Sequence, residues 1–233
     1  MQLYQHITDH LKFNDEARDQ AWDEKFFKLF SESQLRLVLQ DPQQGPDGWP
    51  YLITEVVLEK SPAVSDSTDT SAADTSIESA QKILHWLATR GIGLVVNPKR
   101  TPYPDFVFTY GMIWSFRETG FFNKYQLQNE SSQLVLEDPK NALFGEPTVD
   151  FLPQYVRKVL KDFFLDQSVF DPKVLMISKD GSNYDLCFSL ESLGSPKQEE
   201  HDGVLEALSW FLPPHYSLAL ISEKGLPPFK SLA

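Results

Sequence analysis

The stretch GEPTVDFLPQYVRKVLKDFFLDQSVFDPKVLMISKDGSNYDLCFSLE, residues 145–191, decides how the rest of the chain is read. Pro153 suits the first turn of a helix, where its missing N–H leaves no hydrogen bond unmade. Val156, Val159, Leu160, Phe163 and Phe164 follow at helical spacing and form one apolar stripe. Val174 to Ile177 reads as a strand, and Asp180-Gly181-Ser182-Asn183 as a turn. Tyr184, Leu186, Phe188 and Leu190 alternate with Asp185, Cys187 and Ser189, the pattern of a half-buried strand. Further on, Val204, Leu205, Leu208, Phe211 and Leu212 make a second helical stripe that Pro213-Pro214 ends. Tyr216 to Ile221 is a last strand, and Pro227-Pro228 leaves a short extended tail. The order is helix, strand, strand, helix, strand.

Upstream, the same order recurs from Asp15 to Val96. Asp15 to Phe30 has helical periodicity through Ala21, Trp22, Phe26, Phe27 and Phe30. Leu35, Leu37 and Leu39 predict a strand, and Tyr51 to Leu58 another. Ile77, Ala80, Ile83, Leu84, Leu87 and Ala88 predict a helix opened near Ser76 and Ser79 and stopped at Gly91. Gly93 to Val96 is a short strand closed by Asn97-Pro98. Between these elements, residues 60–76 (KSPAVSDSTDTSAADTS) hold one large aliphatic residue and no aromatic, so they read as a flexible loop. Asp105 to Phe116 predicts one or two strands around Gly111, and weaker strand signals follow at 125–127 and 133–137. The expectation is an α+β protein of two small domains, residues 1–140 and 141–233. Each would hold a mixed or antiparallel sheet with packed helices.

Charge narrows the partners. The chain carries 21 basic and 33 acidic residues, a formal net charge of −12, which argues against nucleic acid or an anionic membrane. Cys187 is the one cysteine, so no intramolecular disulfide forms, in keeping with a reducing compartment. The opening MQLYQHITDHLKF lacks the basic start and apolar run of a secretory signal. No apolar run approaches the ~20 residues that span a bilayer. The expected location is the cytoplasm.

Residues 145–191 resemble the C-terminal domain of the SseB (enhanced serine sensitivity) family. The resemblance lies in Gly145-Glu146-Pro147, in Pro153 opening a helix, in the Val174–Ile177 strand after Val169, and in the YDLCFSLE strand. DGWPYLITEVV at 47–57 and GLVVNP at 93–98 are similar to that family's N-terminal domain. The Ser/Thr/Asp loop at 60–76 and FVFTYGMIWSFRETG at 106–120 depart from its pattern. The resemblance implies a fold and a cytoplasmic compartment, with no catalytic residues to assign.

No reaction signature stands out. Glu199-Glu200-His201-Asp202 could supply metal ligands, yet consecutive side chains at a helix start diverge, and His201 or Asp202 as a helix cap explains them as well. Gly91-Ile92-Gly93 lacks the third glycine of a nucleotide fingerprint. Cys187 has no basic neighbour in sequence to lower its pKa. His85 and His215 have no nucleophile motif beside them. The most unusual segment is Asn97-Pro98-Lys99-Arg100-Thr101-Pro102-Tyr103-Pro104-Asp105. It reads either as a stiff connector or as a pre-organised recognition loop. Lys99, Arg100, Tyr103, Trp114, Arg117 and His215 are the candidate contacts for a partner or ligand. Of Phe121 and Phe122, one is expected to be exposed. The expected role is a non-catalytic protein-binding or regulatory one, without catalytic residues, cofactor or metal. The partner is another protein, with a homodimer left open. The alternatives are a secretion-chaperone-like module, or a ligand sensor or enzyme with a pocket between the domains.

Overall fold

The computed structural model describes residues 2–58, 77–122 and 142–232. The expected loop at 60–76, the strands at 125–127 and 133–137 and the boundary at 140/141 lie outside them. By its internal contacts the chain divides into two compact units, Met1–Ala88 with Ile92–Phe122, and Thr89–Gly91 with Asn123–Ala233. Each is an α+β unit built on a mixed sheet.

The first unit opens with a helix absent from the sequence expectations, α1 (Gln2–Leu11). The expected helix at Asp15 starts later. Asp15–Ala17 is a 3-10 turn, and Asp19 caps α2 (Gln20–Ser31) by accepting from the Trp22 N–H at 2.9 Å. A side-chain acceptor for the orphan N–H groups fixes the start where apolar spacing alone does not. The strands are β1 (Gln34–Leu37), β2 (Gln43–Gln44), β3 (Pro50–Val56) and β4 (Ile77–Ser79). Then come α3 (Ala80–Leu87), β5 (Gly93–Val96) and β6 (Phe106–Phe108). Ile77 therefore belongs to a strand and not to the α3 stripe, because Ser79 is the cap that begins the helix. The sheet order is β4-β1-β3-β5-β6, with β2 on β3. β1 and β3 are antiparallel, whereas β3 and β5 are parallel. Gly93 is required by close approach: a Cβ there would lie 2.5 Å from the Tyr51 ring and 2.9 Å from the Phe108 carbonyl oxygen.

Residues 109–120 correct the strand reading. Thr109 Oγ1 accepts from the Met112 N–H, and α4 (Tyr110–Thr119) runs to Gly120, whose φ of 76° ends it. Every residue from Tyr110 to Phe116 is buried, so the first two turns of the helix are covered on all sides. Such a segment has no amphipathic period to separate it from a buried strand. The core beside it is a run of rings. Phe26 of α2 lies 5.3 Å from Phe106 and Phe30 lies 4.9 Å from Phe108, centroid to centroid. Phe122 joins Phe108 at 4.8 Å and Phe116 at 4.3 Å. Phe122 is thus buried while Phe121 is exposed, as the sequence suggested for one of the pair. At the other end Trp22 stacks on Phe26 at 5.0 Å and on His10 at 4.7 Å. His10 Nε2 pairs with the Trp22 carbonyl at 2.8 Å, and the Trp22 indole N–H donates to the His10 carbonyl, which docks α1 on α2.

The second unit contains β7 (Leu143–Gly145), α5 (Gln154–Asp166), β8 (Lys173–Ser178), β9 (Asp185–Ser189), α6 (His201–Phe211), β10 (Ser217–Ile221) and β11 (Lys230–Ser231). The path is β10-β9-β8-β11, and β7 also pairs with β8. β8 and β9 form an antiparallel hairpin, and β9 and β10 are parallel across the α6 crossover. The α2-β1-β3-α3-β5 and α5-β8-β9-α6-β10 runs thus share element order and pairing sense. Two sequence readings are corrected here. β9 is not half-buried: Leu186 to Ser189 are all buried. On one face Phe164 of α5 meets Phe188, centroids 6.0 Å apart. On the other, Leu175, Ile177, Cys187 and Ala219 pack with Phe229, flanked by Leu226. The segment after Pro227-Pro228 is therefore no loose tail. It covers that second face and adds β11 antiparallel to β8.

Two outcomes follow. Phe108→Ala, which deletes a fully buried ring at the junction of β6, α2 and Phe122, is expected to lower stability by about 3–5 kcal/mol in urea unfolding. Burial holds the His10 pKa below 6.5, so the unfolded chain binds its proton first. Stability is then expected to fall as pH drops below 6.5, and less steeply in His10→Phe, read by thermal unfolding across pH 5–8.

Candidate functional site

The loop between β5 and β6 is built around one carboxylate. Asp105 and Arg18 are both buried, with 7% and 8% of their side chains exposed, and their charged groups meet at 2.7 Å. Arg18 also donates to the Asp105 carbonyl and to the carbonyls of Leu11 and Phe13, and its guanidinium lies 4.3 Å over the Trp22 ring. Asp105 has two more partners, one hydrogen-bonded and one ionic. Asn97 Nδ2 reaches it at 2.7 Å and Arg100 Nε at 3.2 Å. A buried ion pair needs such extra hydrogen bonds to offset its desolvation.

Asn97 turns the chain, at a φ of 52°, a left-handed conformation that asparagine tolerates. Its N–H donates to the Thr54 carbonyl, and its Oδ1 accepts from the Val56 N–H at 2.8 Å, so the loop base is spliced to the end of β3. Arg100 donates to Asp15 at 2.6 Å and to the Tyr103 carbonyl at 3.3 Å. The loop connects β5 to β6 from a hydrogen-bonded base, and two of its side chains stay in solvent. Tyr103 is 68% exposed, and the Lys99 side chain is 81% exposed while its Nζ lies 3.0 Å from Glu55.

The other sequence candidates separate. Trp114 is 2% exposed within α4, so it is core and not a contact; an all-round buried helix hides it. Arg117 sits in the last turn of α4, half-buried, its Nε 3.7 Å from Glu118. Arg100 is spent on Asp15 and Asp105 and acts as a strut. His215 belongs to the second unit, half-buried and edge-on to Tyr216 at 4.9 Å, with its pKa lowered by burial. Cys187 is fully buried, and desolvation next to Asp185 raises its pKa far above neutrality, so the thiol stays protonated. In the Glu199–Asp202 run the cap is neither His201 nor Asp202. Glu200 accepts from the Lys197 N–H at 2.9 Å, and His201 Nε2 meets the Pro196 carbonyl. Among the described residues, no three His, Cys, Asp or Glu side chains gather where they could hold a metal ion.

The second unit contains a pocket that sequence reasoning missed. It is open, about 560 Å³ in volume, and lies beyond the carboxyl ends of the parallel pair β9 and β10. Its walls come from Ser168–Asp171, Lys173, Glu191–Ser192, Gly194 and Glu223. These residues lie in three separate segments, and only the parallel register of β9 and β10 brings Glu191 and Glu223 together. The available signal was topological, since crevices form outside the carboxyl ends of parallel strands.

Asp105→Ala leaves the buried Arg18 guanidinium with only the half-exposed Asp15 carboxylate, 3.9 Å away, as counterion. The expected cost is about 3–5 kcal/mol, with faster amide exchange across 97–105. Unchanged exchange in that loop would show that Asp105 does not hold it. Among the described residues, no helix is long and apolar enough to cross a membrane. No family model, curated protein or solved structure matches this chain.

Proposed function

We propose that this chain is a non-catalytic protein-binding or regulatory module that recognises its partner through the 97–105 loop. One observation carries the reading. Tyr103 projects from a loop whose base is locked by the buried Arg18–Asp105 pair, so little conformational freedom is lost when a partner docks. An exposed aromatic on a rigid support is the usual chemistry of an interface anchor. Lys99 beside it supplies a cation in a chain of net charge −12 and favours an acidic rim on the partner. The cytoplasmic setting and the likeness of residues 145–191 to the SseB family accord with such a role and belong to the same proposal.

Tyr103→Ala and Lys99→Ala change exposed side chains, so the variants should keep the wild-type circular dichroism and melting temperature. Affinity purification from the native cell with quantitative mass spectrometry is the test. A specific partner should fall at least tenfold in Tyr103→Ala, or about 1.4 kcal/mol, and stay bound in the control Glu199→Ala, which changes an exposed residue of the second unit. Equal recovery of the same partners by wild type and Tyr103→Ala would sink the reading.

A further inference from the structure

We infer that the pocket beyond β9 and β10 receives an arginine side chain from a partner polypeptide. The inference rests on the reading of the chain as a protein-binding module, but on none of the loop residues of the first unit. Three features converge on this occupant. The first is shape: an open recess of about 560 Å³ has room for a long side chain and part of its backbone. The second is an exposed ring. Phe170 stands 74% exposed on the pocket wall, next to Val169, although the chain has buried most of its other phenylalanines. An aromatic face left in solvent at a recess offers a surface on which a guanidinium and its methylene stem can stack.

The third is charge. Asp171, Glu191 and Glu223 line the pocket against one cation, Lys173, which leaves two negative charges in excess. Neutral donors hold these carboxylates without cancelling their charge. Ser222 and the Glu223 N–H donate to Glu191, Ser189 donates to Glu223 at 2.6 Å, and Ser231 donates to Asp171 at 2.7 Å. The Glu191 pKa lies below its ordinary value because of the Ser222 hydroxyl, so this group is ionised at neutral pH. Lys173 Nζ is 4.0 Å from Glu223, the long limit of an ion pair, and leaves room for a second cation. Arginine satisfies the recess better than lysine. Its planar fork donates to two carboxylates at once while its face lies on Phe170. The serines fix the carboxylates before anything binds, so the site is pre-organised.

The probe is the tripeptide N-acetyl-Leu-Arg-Leu-amide, titrated into the isotope-labelled full chain and followed by amide chemical shifts. Saturable shifts confined to residues 168–173, 189–194 and 222–224 are expected, and they should weaken as salt is raised. Phe170→Ala and Glu191→Gln should each weaken binding by about tenfold, equal to about 1.4 kcal/mol. Lys173→Met removes the competing cation and should tighten binding, an outcome that a damaged fold cannot produce. The proposal fails if the norleucine peptide N-acetyl-Leu-Nle-Leu-amide gives the same shifts with the same affinity. It fails equally if the arginine peptide causes none there. Peptide binding that persists when Tyr103→Ala recovers the wild-type partners would remove the loop reading and keep the pocket. Loss of partner in Tyr103→Ala with a silent pocket would do the reverse.

Discussion

The Asp105 carboxylate is the constraint on which the first unit depends. It sits almost out of solvent, accepts hydrogen bonds from Arg18 and Asn97 and pairs with the Arg100 charge, so that a residue just before α2 and two of the β5–β6 loop meet on it. Arg18 in turn holds the carbonyls of Leu11 and Phe13, at the junction between α1 and α2. One buried charge thus ties the amino-terminal helices, the end of β3 and the β5–β6 loop. Removing any one donor leaves the others facing an unbalanced group in a medium of low dielectric. The fixed base of the loop that carries Tyr103 follows from this.

The aromatic run supplies the cohesion that the polar knot directs. From His10 through Trp22 and Phe26 to Phe108, Phe122 and Phe116, successive rings lie within ring-contact distance. Large rings bury much apolar area with few rotors to freeze, which suits a small unit that must close over a short sheet. The second unit solves the same problem differently. Its sheet is covered by α5 and α6 on one face and by the segment around Leu226 and Phe229 on the other. That second layer is why Cys187 is a core residue and not a reagent. The two units share an antiparallel strand pair followed by a parallel pair across a helix, and the parallel pair of the second unit opens the pocket at its carboxyl ends.

Much of this architecture was legible in local patterns. The α5 stripe, the Asp180–Asn183 turn, β8, β10 and the strand at Gly93–Val96 lie where period and breakers put them. The 97–105 loop stands out in the sequence by its prolines and paired cations, and of its candidate contacts the structure leaves Lys99 and Tyr103 exposed. Arg100 and Trp114 were misread for a physical reason. A cation in a loop is a ligand contact or a strut depending on where its carboxylates lie, and an aromatic is patch or core depending on what covers it. Neither is encoded within the few residues around it.

The sequence by itself determined the α+β class, the succession α5-β8-β9-α6-β10 and the identity of the segments that turn, because these depend on spacing and on backbone preferences a few residues long. The tertiary structure alone decided that 110–119 is a helix, that Asp105 finds Arg18 at a separation of 87 residues, and that Glu191 and Glu223 share a wall with Phe170. Burial on every side erases the period that marks a helix. Long-range pairing is set by which surfaces close on one another, and no local rule contains that closure.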